Sequence, residues 1–292
     1  MCDEDTVRDN EAVLGRGTGV SRRQFHRMGA AVAVGALLPR AANAQTVTDS
    51  EVSVATPDGL ADCYFVHPSS GRHPGVIVWP DVLGLRPAFR LMGKRLAESG
   101  YSVLVVNPYY RSARAPVIPE GASFQDPATR ATVMPLAQSL SAATHFTDAK
   151  AFVSYLDQQP AVDTARRIGT TGYCMGGPIT MRTAAAVPER IGAGASFHGG
   201  RLVTDGPDSP HLLIPQMQSS FLFAIAENDD EKEPETKNVL KASFADAGLL
   251  AEIEVYAGAM HGWCPPDSAV YNEALAEKAW SRLLHLFATA LA

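Results

Sequence analysis

Short, wholly apolar runs alternating with helix-patterned segments constrain this chain more than any other feature. "PGVIVWP" (74–80) and "YSVLVVN" (101–107) are each too short for a core helix. Such runs suit strands buried on both faces, because a half-exposed strand alternates apolar with polar residues. Helical periodicity follows over 87–99 and stops at Gly100. A helix fits 139–158, "RIGTTGYC" (167–174) reads as a strand, and a helix fits 175–187. Strands over 191–198 and 219–226, a helix over 234–247, a strand over 251–256 and a terminal helix around 271–290 complete the series. Alternation of this kind predicts an α/β fold, a mostly parallel sheet covered by helices on both faces. Upstream, "EVSVATPDGLADCYFVHP" (51–68) alternates around Pro57-Asp58-Gly59 and predicts an antiparallel opening hairpin. Residues 111–138, punctuated by Pro116, Pro119, Gly121, Pro127 and Pro135, read as an irregular loop that could rim an entrance, with Met134 part of it.

The N-terminus carries a different signal. In "SRRQFHRMGAAVAVGALLPRAANAQ" (21–45), Arg22-Arg23 with Phe25 forms a twin-arginine pattern. A modest apolar run over 29–38 follows, then Ala42-Asn43-Ala44. This is the order of an export signal, and its apolar run is too short to span a bilayer. Residues 1–44 are therefore expected to be removed. Residues 45–292 are left as a single domain, periplasmic or secreted, monomer or homodimer, with no membrane attachment after cleavage. The net charge of −6 argues against nucleic acid or an anionic membrane as partner. Cys63, Cys174 and Cys264 survive cleavage; the cysteine spacings fit no zinc pattern, so no metal is expected. A Cys63–Cys264 disulfide with Cys174 unpaired is one possibility that spacing alone leaves open.

Chemistry concentrates in "TTGYCMGGPIT" (170–180), where Cys174 stands between a predicted strand and a predicted helix, flanked by Gly172 and Gly176. That is the nucleophile elbow, written G-x-S-x-G when serine is the nucleophile. The glycines permit a tight turn, and the following helix N-terminus favours a thiolate. Such folds order their triad as nucleophile, acid, base. "FLFAIAENDD" supplies Asp229, with Asp230 as competitor, and "YAGAMHGW" supplies His261 after the last strand. The N–H of Met175 and that of Val82, just past the 74–80 strand, are placed to hold an oxyanion. His198 in "SFHGG" and the aromatic residues Trp79, Tyr109, Tyr110 and Trp263 fall at strand ends, where they could wall a pocket or pack in the core.

"PGVIVWPDVLGLRP", "YSVLVVNPYYR", "GYCMGGPITMR", "ASFHGG", "FLFAIAENDD" and "AMHGW" together resemble the dienelactone hydrolases, over about residues 50–290. The resemblance implies an α/β-hydrolase domain without a large lid, a Cys174–His261–Asp229 triad, no cofactor, and a small ester or lactone as substrate. It also implies that Asp81 stands where the type member has a glutamate contacting the thiol. Arg111 matches the first of two arginines that grip a substrate carboxylate; "GWCPP" offers no second. Two rival readings stay open: a redox-active or peroxide-sensing thiol, with Cys264 as resolving partner, and a catalytically silent binding domain.

Overall fold

The computed structural model describes residues 4–15 and 44–292. The twin-arginine pattern and the apolar run after it lie outside the described residues. One eight-stranded sheet organises the described chain, in the order β1-β2-β4-β3-β5-β6-β7-β8. β1 (Val47–Thr56) and β2 (Gly59–Pro68) form the expected hairpin, and β2 runs antiparallel to β4 (Ser102–Val106). From there β3 (Gly75–Trp79), β5 (Ile168–Tyr173), β6 (Ile191–Phe197), β7 (Ser220–Ala226) and β8 (Ala251–Tyr256) are all parallel. Every residue of β3, β4, β5 and β6 is buried, as their unbroken apolar patterning requires.

The helices, in chain order, are α1 (Glu4–Gly15), α2 (Pro87–Glu98), α3 (Pro127–Gln138), α4 (Ala142–Asp157), α5 (Gly176–Ala186), α6 (Glu227–Lys232), α7 (Thr236–Asp246) and α8 (Glu273–Ala290). Among the described residues two large apolar cores result, and a smaller cluster joins Val82, Ile118 and Val133. Phe152 of α4, Ile179 of α5 and Phe244 of α7 pack on one side of the sheet with Ile77 and Phe223. Phe89 of α2 and Leu283 and Phe287 of α8 join Val76, Val78 and Leu222 in the other. Alternate residues of one strand thus serve opposite faces, which fixes the strand's register.

Two expectations need correction. Residues 111–138 are not irregular throughout, because α3 occupies 127–138. Pro127 opens that helix, where a missing N–H costs no intrahelical bond, and Pro135 comes only in its last turn. No Cys63–Cys264 disulfide forms: Cys63 sits in one core and Cys264 in the other, so the sheet separates them.

Candidate active site

The carboxyl ends of the parallel strands meet at Cys174, the first residue after β5. Its backbone is left-handed, with φ +52°, and its side chain is buried at 2% exposure. The Cys174 N–H donates to the Phe197 carbonyl at 3.0 Å, and the Gly177 N–H to the Cys174 carbonyl at 3.0 Å. The flanking glycines are required by space. A Cβ on Gly172 would stand 2.1 Å from the Gly176 carbonyl oxygen, and one on Gly176 would stand 2.3 Å from the Trp79 carbonyl oxygen. Both obstacles are backbone and cannot swing aside. A non-glycine residue held at positive φ between them carries the strain expected of a nucleophile elbow.

His261 follows β8, and Asp229 lies in α6, directly after β7. The imidazole Nδ1 is 2.8 and 2.9 Å from the two Asp229 carboxylate oxygens. The His261 N–H donates to the Asn228 side-chain oxygen at 2.8 Å, so neighbouring residues of α6 hold both the ring and the backbone. Burial disfavours charge on His261, but Asp229 and the hydrogen-bonded Cys174 sulfur outweigh it and raise its pKa to about 10. Asp230 turns elsewhere and binds Lys237 at 2.6 Å.

Cys174, His198 and His261 share an open cleft of about 640 Å³, its mouth included, with Asp81, Val82 and Arg86. Among the described residues, no carbonyl takes the N–H of Met175 or Val82. The Tyr109 hydroxyl lies 2.8 Å from the Val82 carbonyl and 3.3 Å from the Met175 sulfur, tying the two candidate oxyanion residues together.

Comparison with known proteins agrees with this architecture. The profile of the Dienelactone hydrolase family matches residues 61–291. The chain belongs to the dienelactone hydrolase family. The carboxymethylenebutenolidase of Rhodococcus opacus is 25% identical over 230 residues, 76% of this chain and 84% of its own. A Salmonella typhi relative named after the same activity is 28% identical over 233 residues, 77% and 81% of the two chains. Among solved structures, a dienelactone hydrolase-like promiscuous phosphotriesterase from metagenomic libraries superimposes with a TM-score of 0.69 at 21% identity, covering 84% of this chain and 99% of its own. The dienelactone hydrolase of Anabaena variabilis gives 0.61 at 14%, with the same coverage. At such identities the structural matches speak for the fold, and the family match makes the chain a hydrolase of the ester and lactone class.

Within this dienelactone hydrolase fold, several residues stand away from their expected places. Arg111 does not line the cleft: it binds Asp58 at 2.6 Å and the buried Asp148 at 2.6 Å, while Tyr110 donates to Asp148 at 2.8 Å. The 109–111 turn instead ties the β1–β2 turn to α4. Trp79 is fully buried against Phe152, because its position in β3 points into the core. Trp263 lies one layer behind the cleft, packed on Tyr256 and edge-on to His198 at 5.2 Å between centroids. Asp81 lies close enough to sense the Cys174 charge, yet its carboxylate accepts from Arg86 at 2.7 and 2.9 Å and from the Leu83 N–H at 2.9 Å. Cys264 lines a separate cavity with Arg95 and Trp280 and is not part of the cleft lining around Cys174. Arg86, Asn228 and Asp267 were not assigned roles from sequence; Arg86 alone carried a signal, standing five residues after Asp81 beside the first buried strand.

Arg111→Ala should therefore act on stability. Loss of the guanidinium leaves the Asp148 carboxylate buried with Tyr110, and should cost about 3 kcal/mol, the lower end for a broken buried pair. Ester turnover by the folded protein should stay within about threefold of wild type. Thermal melts beside steady-state kinetics separate the two effects, and a kcat/KM loss above tenfold would return Arg111 to the site.

Proposed function

We propose that this protein hydrolyses carboxylic esters or lactones through a Cys174–His261–Asp229 triad and a thioester acyl-enzyme. The reading is carried by one observation: the strained Cys174 contacts an imidazole that Asp229 holds at 2.8 Å. The Cys174 thiolate adds to the substrate carbonyl carbon, forming a C–S bond and an oxyanion. The N–H groups of Met175 and Val82 receive that oxyanion, and each such donor is typically worth roughly 3–4 kcal/mol. Collapse breaks the C–O bond, and the His261 imidazolium gives its proton to the departing alkoxide. The now neutral His261 takes a proton from water, and the hydroxide adds to the thioester. A second collapse releases the carboxylic acid and restores thiolate and imidazolium. Asp229 keeps Nδ1 protonated throughout, so that Nε2 does the proton transfers.

Rapid mixing with excess p-nitrophenyl butyrate, acid quench and peptide mass spectrometry should find a butyryl adduct on the peptide containing Cys174. An adduct confined to another residue would overturn the cysteine assignment.

We further propose twin-arginine export with cleavage after Ala44. Such processing would also remove α1, whose Val7 and Asn10 line the cleft mouth and whose Asp9 pairs with Lys232 of α6 at 2.6 Å. Periplasmic recovery of a chain beginning at Gln45 tests this.

A further inference from the structure

The charges lining the cleft bear on which esters it admits. Arg86 is the guanidinium of this lining, and it is 5% exposed. Its Nη1 donates to Asp81 at 2.7 Å and to the Gly84 carbonyl at 3.3 Å. Its Nη2 donates to Asp81 at 2.9 Å and to Asp267 at 3.0 Å, and its Nε to Asp267 at 2.6 Å. A guanidinium has five N–H donors, and these contacts use them all. Arg86 therefore has no donor left for a substrate carboxylate. Leaving the triad aside, the lining among the described residues holds two acids, Asp81 and Asp267, against this one guanidinium; burial raises the Asp81 pKa, while the Arg86 charge it faces pulls it back down.

Two further arginines of the described residues stand off this lining. Arg111 lies outside the lining, held by Asp58 and Asp148. Arg130 stands behind the rim and donates to the carbonyls of Phe124 and Gln125. Among the uncharged polar side chains of the lining, which include Ser123, Gln125 and Ser268, His198 is the one that lies against Cys174. It is 1% exposed, at φ +41°, with its ring wedged edge-on against His261 at 5.0 Å and Trp263 at 5.2 Å. Its ring hydrogen-bonds the Cys174 sulfur, and among the described residues no protein oxygen or nitrogen takes either ring nitrogen. Burial and the neighbouring His261 cation lower its pKa, against the pull of Cys174, so the ring is neutral. A neutral imidazole suits an uncharged polar group on the substrate, since it can either donate or accept.

From this arrangement, and resting on the hydrolase reading above, we propose that the site selects uncharged esters and lactones and disfavours substrates that carry a carboxylate near the scissile carbonyl. The family likeness suggests the opposite preference, a carboxylate gripped by arginines, and the closed Arg86 and Arg111 pairs are what argue against it here.

The test uses the full chain and two esters of matched shape: mono-4-nitrophenyl succinate, which is an anion at pH 7, and its methyl ester, which is neutral. Release of 4-nitrophenolate reads both. The expected result is a kcat/KM at least about tenfold higher for the methyl ester, equivalent to about 1.4 kcal/mol. In Asp267→Asn, one carboxylate fewer should narrow that gap by about threefold or more. Equal or faster turnover of the anionic ester would overturn the selectivity and leave the hydrolase reading intact. A gap unchanged in a folded Asp267→Asn would assign the discrimination to shape and overturn the charge argument. No turnover of either ester would remove the hydrolase reading, and this inference with it.

Discussion

Cys174→Ala should lower kcat for p-nitrophenyl esters by about 10⁴-fold or more, the scale on which loss of a covalent nucleophile is felt. Its thermal midpoint should move little. Alanine keeps the backbone hydrogen bonds of the turn, from Cys174 N–H to Phe197 and from Gly177 N–H to the Cys174 carbonyl. Both residues are L-amino acids with one Cβ, so the strain at φ +52° is shared and cancels. The change removes one buried sulfur and one ionisable group facing His261. Losing packing atoms costs on the order of 1 kcal/mol, and His261 keeps Asp229 at 2.8 Å, so its ring is not left without a partner. Steady-state kinetics and a melt on the same preparation check both halves. Residual activity above a few per cent would mean that another group performs the chemistry. A large drop in melting temperature would mean that the thiol holds the fold and the lost activity is secondary.

What could be read from the sequence follows the range over which each requirement acts. The sheet was legible because burial on both faces writes itself into consecutive residues, as in β3 and β4. The elbow was legible because Gly172, Cys174 and Gly176 impose their geometry on one another within five positions. His261 was legible because it had to follow the last parallel strand. Asp229 and Asp230 were separable only in three dimensions, where α6 turns one toward His261 and the other toward Lys237. Arg86 and Asp267 are 181 positions apart, and nothing local to either announces the pair. Arg111 misleads for the same reason, since Asp58 and Asp148 claim it from two distant elements. Trp79 shows the limit of strand-end reasoning: one residue of register decides between pocket and core.

Gly172→Ala should cripple the protein through backbone crowding alone. The φ of Gly172 is not in the left-handed region, so alanine meets no conformational penalty there; only space is lacking. The added methyl would meet the Gly176 carbonyl oxygen at 2.1 Å and the Thr180 methyl at 2.9 Å. The Thr180 side chain can adjust, but the carbonyl belongs to the first turn of α5. Relief requires moving that turn away from β5, and Met175 and Cys174 move with it. Overpacking of this kind costs about 3 kcal/mol or more when no side chain can yield. A shift of about 1 Å between nucleophile, oxyanion donors and base costs on the order of 100-fold in rate. Gly248→Ala supplies the contrast. That glycine has φ +66° and open space around its Cβ position, so the substitution should cost only the left-handed strain, about 1–2 kcal/mol, with kcat unchanged. Thermal melts and ester kinetics on both variants, with iodoacetamide titration of Cys174, would resolve the two effects. If Gly172→Ala kept wild-type kcat, the elbow would have room to spare, and the positioning assigned to α5 would fall.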